Sequence, residues 1–404
     1  MGTRTCGYDD CHMCADPDDE ESAPRWRLPW SWPLAATGVA GASIALITFP
    51  HQAHEAAGQT WAPFVLVSGL LLVGLVAEHD GLFRAAGSQL ARMARHGFAL
   101  FIGATLLIVA VTATLNLDTS VVFLTPILIA ATRQGLGGER PLLYGSLLLA
   151  NASSLFLPGS NLTNLIVFSH QPLSGRAFLA LMWPAAVVAP IVTASVVGVW
   201  ARRDFAGPRT PAPRIDGPSF PLGLGVGVVA VPAAVVLVVA LRSPALPVFA
   251  LGVLVSLIRL VQRRVSARRV WNVLGAPVLV GLFGITIGLG TVGRAWSGPT
   301  TLLSHASGAG AVVIAAVCSV LLNNLPAASL LAARHPHHAA QLLVGLNLGP
   351  NLFVSGSLAW FLWLRVARSS GAKPTVRQAA RLGAIVVPLS MAAALGALVL
   401  AGSG

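Results

Sequence analysis

The chain has 404 residues, of which 55% are hydrophobic and only 10% are charged. Soluble domains carry roughly 25% charged residues, so this composition excludes a water-soluble globular protein and indicates one embedded in lipid. The formal net charge of +12 comes almost entirely from Arg placed between apolar runs, a pattern typical of membrane topology rather than nucleic-acid binding.

Residues 1–30 are predicted to form a cytoplasmic tail ahead of the first apolar run. The tail is acidic, and its motif CGYDDCHMC supplies Cys6, Cys11 and Cys14. Four Cys in the whole chain are too few for a disulfide scaffold, so these three are considered as free thiols.

Apolar runs long enough to enter a bilayer recur along the rest of the chain, which predicts an all-α polytopic membrane protein. They lie at residues 33–50, 61–77, 97–115, 141–168, 178–200, 220–241, 244–258, 272–292, 300–322, 339–364 and 382–400. Because polar residues punctuate these runs instead of alternating with apolar ones, helices are expected rather than barrel strands. The Pro-rich polar stretch 202–219 is predicted to be a cytoplasmic linker between a first transmembrane half, 31–201, and a second, 220–404.

Two of these regions are predicted to be re-entrant hairpins, which leave the membrane on the side that they entered. Residues 97–131 would turn at 116–119, and residues 300–333 would turn at Asn323 and Asn324. If the other runs cross the membrane, 22 of the 26 Lys and Arg fall on one side. Since positive charge marks the cytoplasmic face, the N-terminus is expected inside and the C-terminus outside.

A polar-interrupted apolar run follows each hairpin. The first, ANASSLFLPGSNLTNLIVF (150–168), is interrupted by a Pro-Gly pair, and the second, NLGPNLFVSGSLAWFLW (347–363), is interrupted at Ser355-Gly356. The two broken helices correspond to each other, and the hairpins that precede them are predicted to enter the membrane from opposite sides. This arrangement predicts two inverted repeats around a central transport site. Backbone freed at such breaks must find partners or line a polar cavity. Kinks that serve only helix packing are the alternative.

Asp118 is the one acidic residue that lies in the middle of apolar sequence, at the predicted tip of the first hairpin. A carboxylate there costs about 2.5–3.5 kcal/mol even on the lenient insertion scale, which favours a functional role in binding a cation, carrying a proton or holding the substrate. The alternative is a cap on the returning helix, residues 119–131. The matching position in the second half is taken as Asn324. One carboxylate among neutral amides and hydroxyls disfavours a dianionic substrate.

The motifs NLDTSVVFLTPILIA, SLFLPGSNLTNLIVF, LLNNLPAASLLA and NLGPNLFVSGSLAWFLW resemble the arsenite permease branch of the ion transporter superfamily. The resemblance covers residues 61–400 approximately. It implies inverted repeats, export of As(OH)3 or Sb(OH)3 in exchange for protons, and in some cases a soluble ATPase subunit. The candidate substrate-binding residues are Asn116, Asp118, Thr119, Ser160, Asn161, Thr163, Asn323, Asn324, Asn351, Ser355 and Ser357.

The leading hypothesis is an arsenite or antimonite exporter of the cytoplasmic (inner) membrane that works by alternating access, with Asp118 as the proton-coupling residue. A sodium/proton antiporter or an organic-anion/sodium symporter of the same fold is the first alternative. A membrane receptor or assembly scaffold without transport is the second. No cofactor and no enzymatic activity are expected, and the coupling ion (proton or sodium) and a homodimer are left open.

The three tail Cys suggest a further function under this hypothesis. Trivalent arsenic is soft and prefers thiolates to oxygen ligands, so the tail is a candidate for arsenite capture near the site. Zinc bound by the same three Cys and His12 is one alternative, because Cys₃His is a common zinc ligand set. A disordered acidic tail that binds neither is the other.

Overall fold

A computed structural model describes residues 31–94, 96–132, 138–206 and 225–402, and in these residues the regular structure is helical. The α-helices in chain order are α1 (Ser31–Thr48), α2 (Pro50–His79), α3 (Leu82–Met93), α4 (Gly97–Thr114), α5 (Leu117–Thr132), α6 (Arg140–Ala152), α7 (Leu162–Val167), α8 (Gly175–Trp200), α9 (Val226–Ala240), α10 (Ala245–Val261), α11 (Ala267–Leu274), α12 (Ala276–Ala295), α13 (Gly298–His305), α14 (Gly308–Leu322), α15 (Asn324–Leu331), α16 (Ala339–Leu348), α17 (Leu358–Ser369) and α18 (Val376–Leu400).

Six helical segments in the described residues are long and apolar enough to cross a membrane. They are α1, α2, α4, α8, the continuous stretch of α11 and α12, and α18. Four further apolar helices are shorter, namely α5, α9, α10 and α14. A perpendicular crossing needs about 20 apolar residues, so the shorter helices fit hairpin arms or partial crossings. The predicted all-α polytopic membrane fold is confirmed.

Small residues allow α1 and α12 to pack closely. A Cβ added at Gly281 would lie 2.7 Å from the carbonyl oxygen of Leu34, and Cβ atoms added at Gly38 or Gly284 would also meet the facing backbone. Helices in lipid gain little from the hydrophobic effect, so close backbone approach through small residues is what stabilises such a pair. The order of these contacts along both helices makes α1 and α12 parallel.

Helices of the two halves make matching contacts. α1 packs on α12 as α10 packs on α2, and α2 packs on α12. The last pair is antiparallel, because Glu55 contacts Arg294 near one end while Phe64 contacts Phe283 further along. Corresponding helices that run in opposite directions are compatible with the predicted inverted repeats.

Each half contains a helical hairpin and a broken helix. The hairpins are α4–α5 and α14–α15, and the broken helices are α6–α7 and α16–α17. The first break holds 3-10 turns at Ser153–Leu155 and Pro158–Ser160, and the second begins with a 3-10 turn at Gly349–Leu352. The interruptions were therefore predicted at the right places, but both are longer than a dipeptide.

Two sequence predictions need correction. Residues 300–322 are not one apolar element, because the Ser307 hydroxyl accepts from the Gly310 N–H and begins α14 separately from α13. The sequence of residues 81–95 predicts an amphipathic interfacial helix with Met93 on its apolar face. In α3 the buried residues are Phe83, Gly87 and Ala91, whereas Met93 is 70% exposed.

Polar contacts fasten both ends of α2 to the second half. At its C-terminal end, Asp80 accepts from Arg259 Nη2 at 2.5 Å and from the Gly227 N–H at 2.7 Å. Near its other end, Gln59 Oε1 accepts from Arg294 Nη2 at 2.6 Å. Both Arg side chains are buried. Removing Asp80 would leave Arg259 without its carboxylate at a cost of several kcal/mol, whereas Arg294 also pairs with Glu55.

Candidate functional site

The tip of the first hairpin consists of two residues, Leu115 and Asn116, between α4 and α5. Asn116 Oδ1 accepts from the Thr119 N–H at 2.6 Å, which is the bond of a helix N-cap. Asp118 therefore lies inside the first turn of α5, so the reading of Asp118 as the cap of this helix is wrong.

Asp118 is half-buried at the entry to α5. In the described residues its carboxyl group has neither an ion pair nor a hydrogen bond to the protein. An acidic residue without a protein partner in an apolar span is costly to place and typical of ion or proton pathways.

The tip of the second hairpin is fastened to the second break. The Asn323 side-chain amide donates to the Ser355 carbonyl at 3.1 Å, and the Asn324 N–H donates to the Gly356 carbonyl at 2.9 Å. Asn323 also adopts φ 77 and ψ 148, a region that is costly for any residue other than Gly. The surrounding contacts hold this tip in a strained conformation.

A Ser in each break also reaches back to the hairpin of its own half. Ser160 Oγ donates to the Ala113 carbonyl at 3.1 Å, and Ser355 Oγ donates to the Val320 carbonyl at 2.6 Å. Each carbonyl belongs to the residue three positions before the tip Asn. Ser160 and Ser355 thus make equivalent contacts that position the hairpins, and their hydroxyl groups are occupied by these hydrogen bonds.

The backbone gives a register for the two breaks that differs from the sequence comparison. Asn161 and Ser357 both begin helices in extended conformations (φ −150, ψ 141 and φ −152, ψ 158). They lie 196 positions apart, as do Asn151 and Asn347, whereas the Leu-Phe-x-x-Gly-Ser likeness implies 197. The alignment of the two Leu-Phe-x-x-Gly-Ser segments is therefore shifted by one residue from the structural equivalence.

The hairpin tips also realign. Asn116 and Asn323 are the matching cap residues, so the position equivalent to Asp118 is Leu325 rather than Asn324. The second half still lacks a carboxylate at this place, and its equivalent side chain is apolar.

Asn347 joins the two broken helices and was not among the residues predicted from the sequence. Its Oδ1 accepts from Ser154 Oγ at 2.6 Å, from Asn161 Nδ2 at 2.6 Å and from Thr163 Oγ1 at 3.4 Å. Its Nδ2 donates to Asn164 Oδ1 at 3.0 Å. The predicted residues Asn161 and Thr163 are thereby brought together, but their side chains bond Asn347.

A second direct tie runs between the broken helices. Asn351 Nδ2 donates to the Leu148 carbonyl at 3.1 Å, while its Oδ1 has no partner among the described residues. Sequence signals for Asn347 existed, since Asn347 opens the motif of the second break and Ser154 and Asn164 lie in the motif of the first. No sequence rule distinguishes such bridging amides from ones that face a substrate.

Buried polar atoms without partners concentrate in this region. Of eleven such side-chain atoms in the described residues, eight belong to the first hairpin or to the breaks and the helices that flank them. They are Thr112 Oγ1, Asn116 Nδ2, Thr119 Oγ1, Ser120 Oγ, Asn151 Oδ1, Ser153 Oγ, Asn351 Oδ1 and Ser357 Oγ. Each unsatisfied buried group costs about 1–3 kcal/mol, so a cluster of them is a candidate binding site for a hydrogen-bonding solute.

The candidate site is neutral apart from Asp118. The four predicted residues Asn116, Thr119, Asn351 and Ser357 retain unused hydrogen-bonding atoms, and none of the eight unpaired atoms belongs to Lys or Arg. Cys6, Cys11 and Cys14 lie outside the described residues. The free Cys318 lies on α14.

Comparison with known proteins gives the family. Residues 27–364 match the profile of the citrate transporter (CitMHS) family. The chain belongs to this family of membrane transporters. The arsenical pump membrane protein of Escherichia coli (strain K12) is 26% identical over 362 residues, covering 81% of this chain and 84% of the relative. The arsenical pump membrane protein of Yersinia enterocolitica is 26% identical over 339 residues, covering 76% and 78%.

Among solved structures, the Alcanivorax borkumensis YdaH transporter shares 17% identity with a TM-score of 0.33, covering 86% of each chain. The relatives confirm the resemblance to the ion transporter superfamily. A family of transporters also argues against the receptor or scaffold alternative and against an enzyme.

Proposed function

We propose that this transporter exports a small, uncharged, hydroxylated solute, and that the solute is arsenite or antimonite. The observation that carries the proposal is the cluster of unpaired, buried amide and hydroxyl groups, which contains no basic side chain. As(OH)3 and Sb(OH)3 offer hydroxyls that can both donate and accept, so they can satisfy such groups without a counter-charge. The names of the arsenical pump relatives support this choice.

Citrate or another organic anion is the second candidate, because the family profile carries the description of a citrate transporter. Carboxylates are recognised most strongly by Arg and other charge-assisted donors. Beside the candidate residues stands Asp118, which would repel an anion at short range. This difference in charge makes the two candidates separable by experiment.

In the proposed mechanism, Asp118 carries a proton inward as the neutral solute moves outward. Asp118, Thr119 and Ser120 are consecutive residues in the first turn of α5, and the hydroxyl oxygens of Thr119 and Ser120 are unpaired, so loading of the solute and exchange of the proton would both involve this turn. Alternating access would then expose this turn to each side in succession. Sodium is the alternative coupling ion.

The orientation belongs to the same proposal. The protein would lie in the inner membrane with its N-terminus inside, its C-terminus outside and residues 202–219 as a cytoplasmic linker between halves 31–201 and 220–404. Single Cys probes at Ser266 and Ser369 should then react only from the cytoplasm, and one at Ser403 only from outside. Labelling of Ser369 and Ser403 from the same side would contradict this orientation.

The tail is proposed to help loading at low substrate concentration. Cys6, Cys11 and Cys14 would capture arsenite through their thiolates and raise its concentration near the site, as tethering does generally. A triple Cys→Ser variant should lose efflux at low arsenite and recover at high arsenite. Unchanged efflux at every concentration, with no arsenite bound by the isolated tail peptide, would leave zinc binding with His12 or a disordered tail.

Transport into everted vesicles under imposed pH and sodium gradients tests the proposal. Arsenite and antimonite uptake driven by a pH gradient is expected, while citrate uptake would favour the second candidate. Asp118→Asn preserves the side-chain volume and removes the titratable group, so we expect normal membrane insertion with transport lost. Asn324→Ala is the control at the opposite tip and should weaken transport less. Normal export by Asp118→Asn would show that Asp118 carries no proton.

A further inference from the structure

A cavity of about 490 Å³ lies away from the candidate transport site, among α2, α3, α5 and α11. Its wall is mainly apolar and includes Leu75, Val122, Phe123, Ile127 and Val273. Its volume is within the range of small-molecule pockets. Nothing in the proposed transport cycle uses this space.

The rim of the cavity is polar and basic. Arg84 has no hydrogen bond or ion pair within the described residues, and it is exposed beside the Ser88 hydroxyl. Across the cavity, Arg269 donates to Glu78 at 2.7 Å and remains 46% exposed. An unpaired guanidinium above an apolar wall is complementary to an anionic group that is attached to a hydrocarbon chain.

The position of the cavity indicates where that chain comes from. The cavity lies at the C-terminal end of the apolar helix α2, beside two short helices whose polar faces carry Arg. α11 begins the continuous stretch that α12 completes; it has no buried residue, and its Trp271 is 58% exposed, as expected of the end of a span at the membrane interface. The rim is therefore at headgroup depth.

We propose that this cavity binds an anionic membrane phospholipid. Its phosphate would bind Arg84 and Ser88, and the upper part of one acyl chain would occupy the apolar wall. Lipid tails are as apolar as this wall, so the acyl chain gains little from the hydrophobic effect and contributes mainly by its fit to the cavity. Selectivity among lipids would come from the headgroup. The wall includes Val122 and Phe123, one turn beyond Asp118 and Thr119, so the lipid would contact the arm that carries the candidate transport residues.

The test measures lipid retention by the purified full-length protein. Native mass spectrometry would compare phosphatidylglycerol with phosphatidylcholine after equilibration in mixed micelles. Arg84→Gln should lower retention of phosphatidylglycerol about fivefold, since one basic residue at an anionic surface is worth about 1 kcal/mol. Arg92→Gln is the matched control, because Arg92 lies on the same helix, pairs with Gln89 and does not line the cavity.

Two further arms distinguish a lipid held by headgroup and chain from a phosphate ion held by charge alone. Ala130→Phe fills the cavity from an exposed position without changing charge and should also lower retention. Added inorganic phosphate should displace little phosphatidylglycerol if the acyl chain contributes to fit, and full displacement would reduce the site to a phosphate site. Equal retention by wild type, Arg84→Gln and Ala130→Phe would overturn the proposal. An Arg92→Gln loss as large as that of Arg84→Gln would also overturn it.

Discussion

Asn347→Leu is the substitution that best distinguishes residues that hold the two broken helices together from residues that are proposed to bind the solute. Asn347 is fully buried and bonds Ser154, Asn161 and Asn164 across the two broken helices. Leu has a similar size but offers no polar atom. Ser154 keeps its bond to the Asn151 carbonyl, so three groups lose their partner, namely Asn161 Nδ2, Asn164 Oδ1 and, from a long bond of 3.4 Å, Thr163 Oγ1.

Each new buried orphan costs about 1–3 kcal/mol. Chains unfolded within a membrane recover some of these bonds, which reduces the net effect, so we expect a destabilisation of about 2–4 kcal/mol. Thermal unfolding of the purified protein in detergent, followed by intrinsic Trp fluorescence, would measure it.

Asn151→Leu is the matched control. Asn151 occupies the equivalent position in α6 and is equally buried, and its Nδ2 makes the same bond to the carbonyl four residues earlier. Its Oδ1, however, has no partner among the described residues. We therefore expect Asn151→Leu to change stability by less than about 1 kcal/mol while impairing transport. Equal destabilisation by the two variants would refute the assignment of Asn347 as the bridge.

Two other predictions concern the scaffold. Gln59→Leu should destabilise the protein by about 2–3 kcal/mol, because buried Arg294 loses one of its acceptors and the carbonyls of Ile166 and Ala332 each lose one donor; thermal unfolding beside an Asn substitution would check it, and an unchanged midpoint would contradict it. Gly281→Leu should cost about 3 kcal/mol or lower the folded yield, since any Cβ meets the Leu34 carbonyl; Gly41→Leu, where nothing lies near the added Cβ, should be tolerated in the same yield assay.

The sequence predicted the class of fold because its signals are strong in apolar chains. Runs of apolar residues, clustered Arg and paired polar interruptions each reflect the cost of polar groups in lipid. These signals located both hairpins and both breaks. They could not predict where α13 ends and α14 begins. The turn at Ser307 hardly changes the apolar composition of this stretch, and it depends on one hydroxyl cap.

Site residues were predicted by type but not by role. Polar side chains in a broken apolar helix are visible in sequence, and Asn116, Thr119, Asn351 and Ser357 do retain unpaired atoms. Asn161 and Thr163 look the same in sequence, yet their side chains contact Asn347, which lies almost two hundred residues away. Only the tertiary contact distinguishes a polar side chain that holds the two broken helices together from one that is free to bind a solute.

The two hairpin tips differ in how their polar groups are bonded. The second tip bonds its own break through Asn323 and Asn324, and none of its side-chain atoms is among the unpaired ones. Within the described part of the chain, the first hairpin is hydrogen-bonded to its break only through Ser160, and unpaired atoms remain on Asn116 and Thr119. A repeat that only had to fold would satisfy both tips in the same way. Function is expected at positions where one half departs from local hydrogen-bonding rules and the other obeys them. Here these positions flank Asp118 in the sequence, and the second half has no carboxylate at the equivalent position.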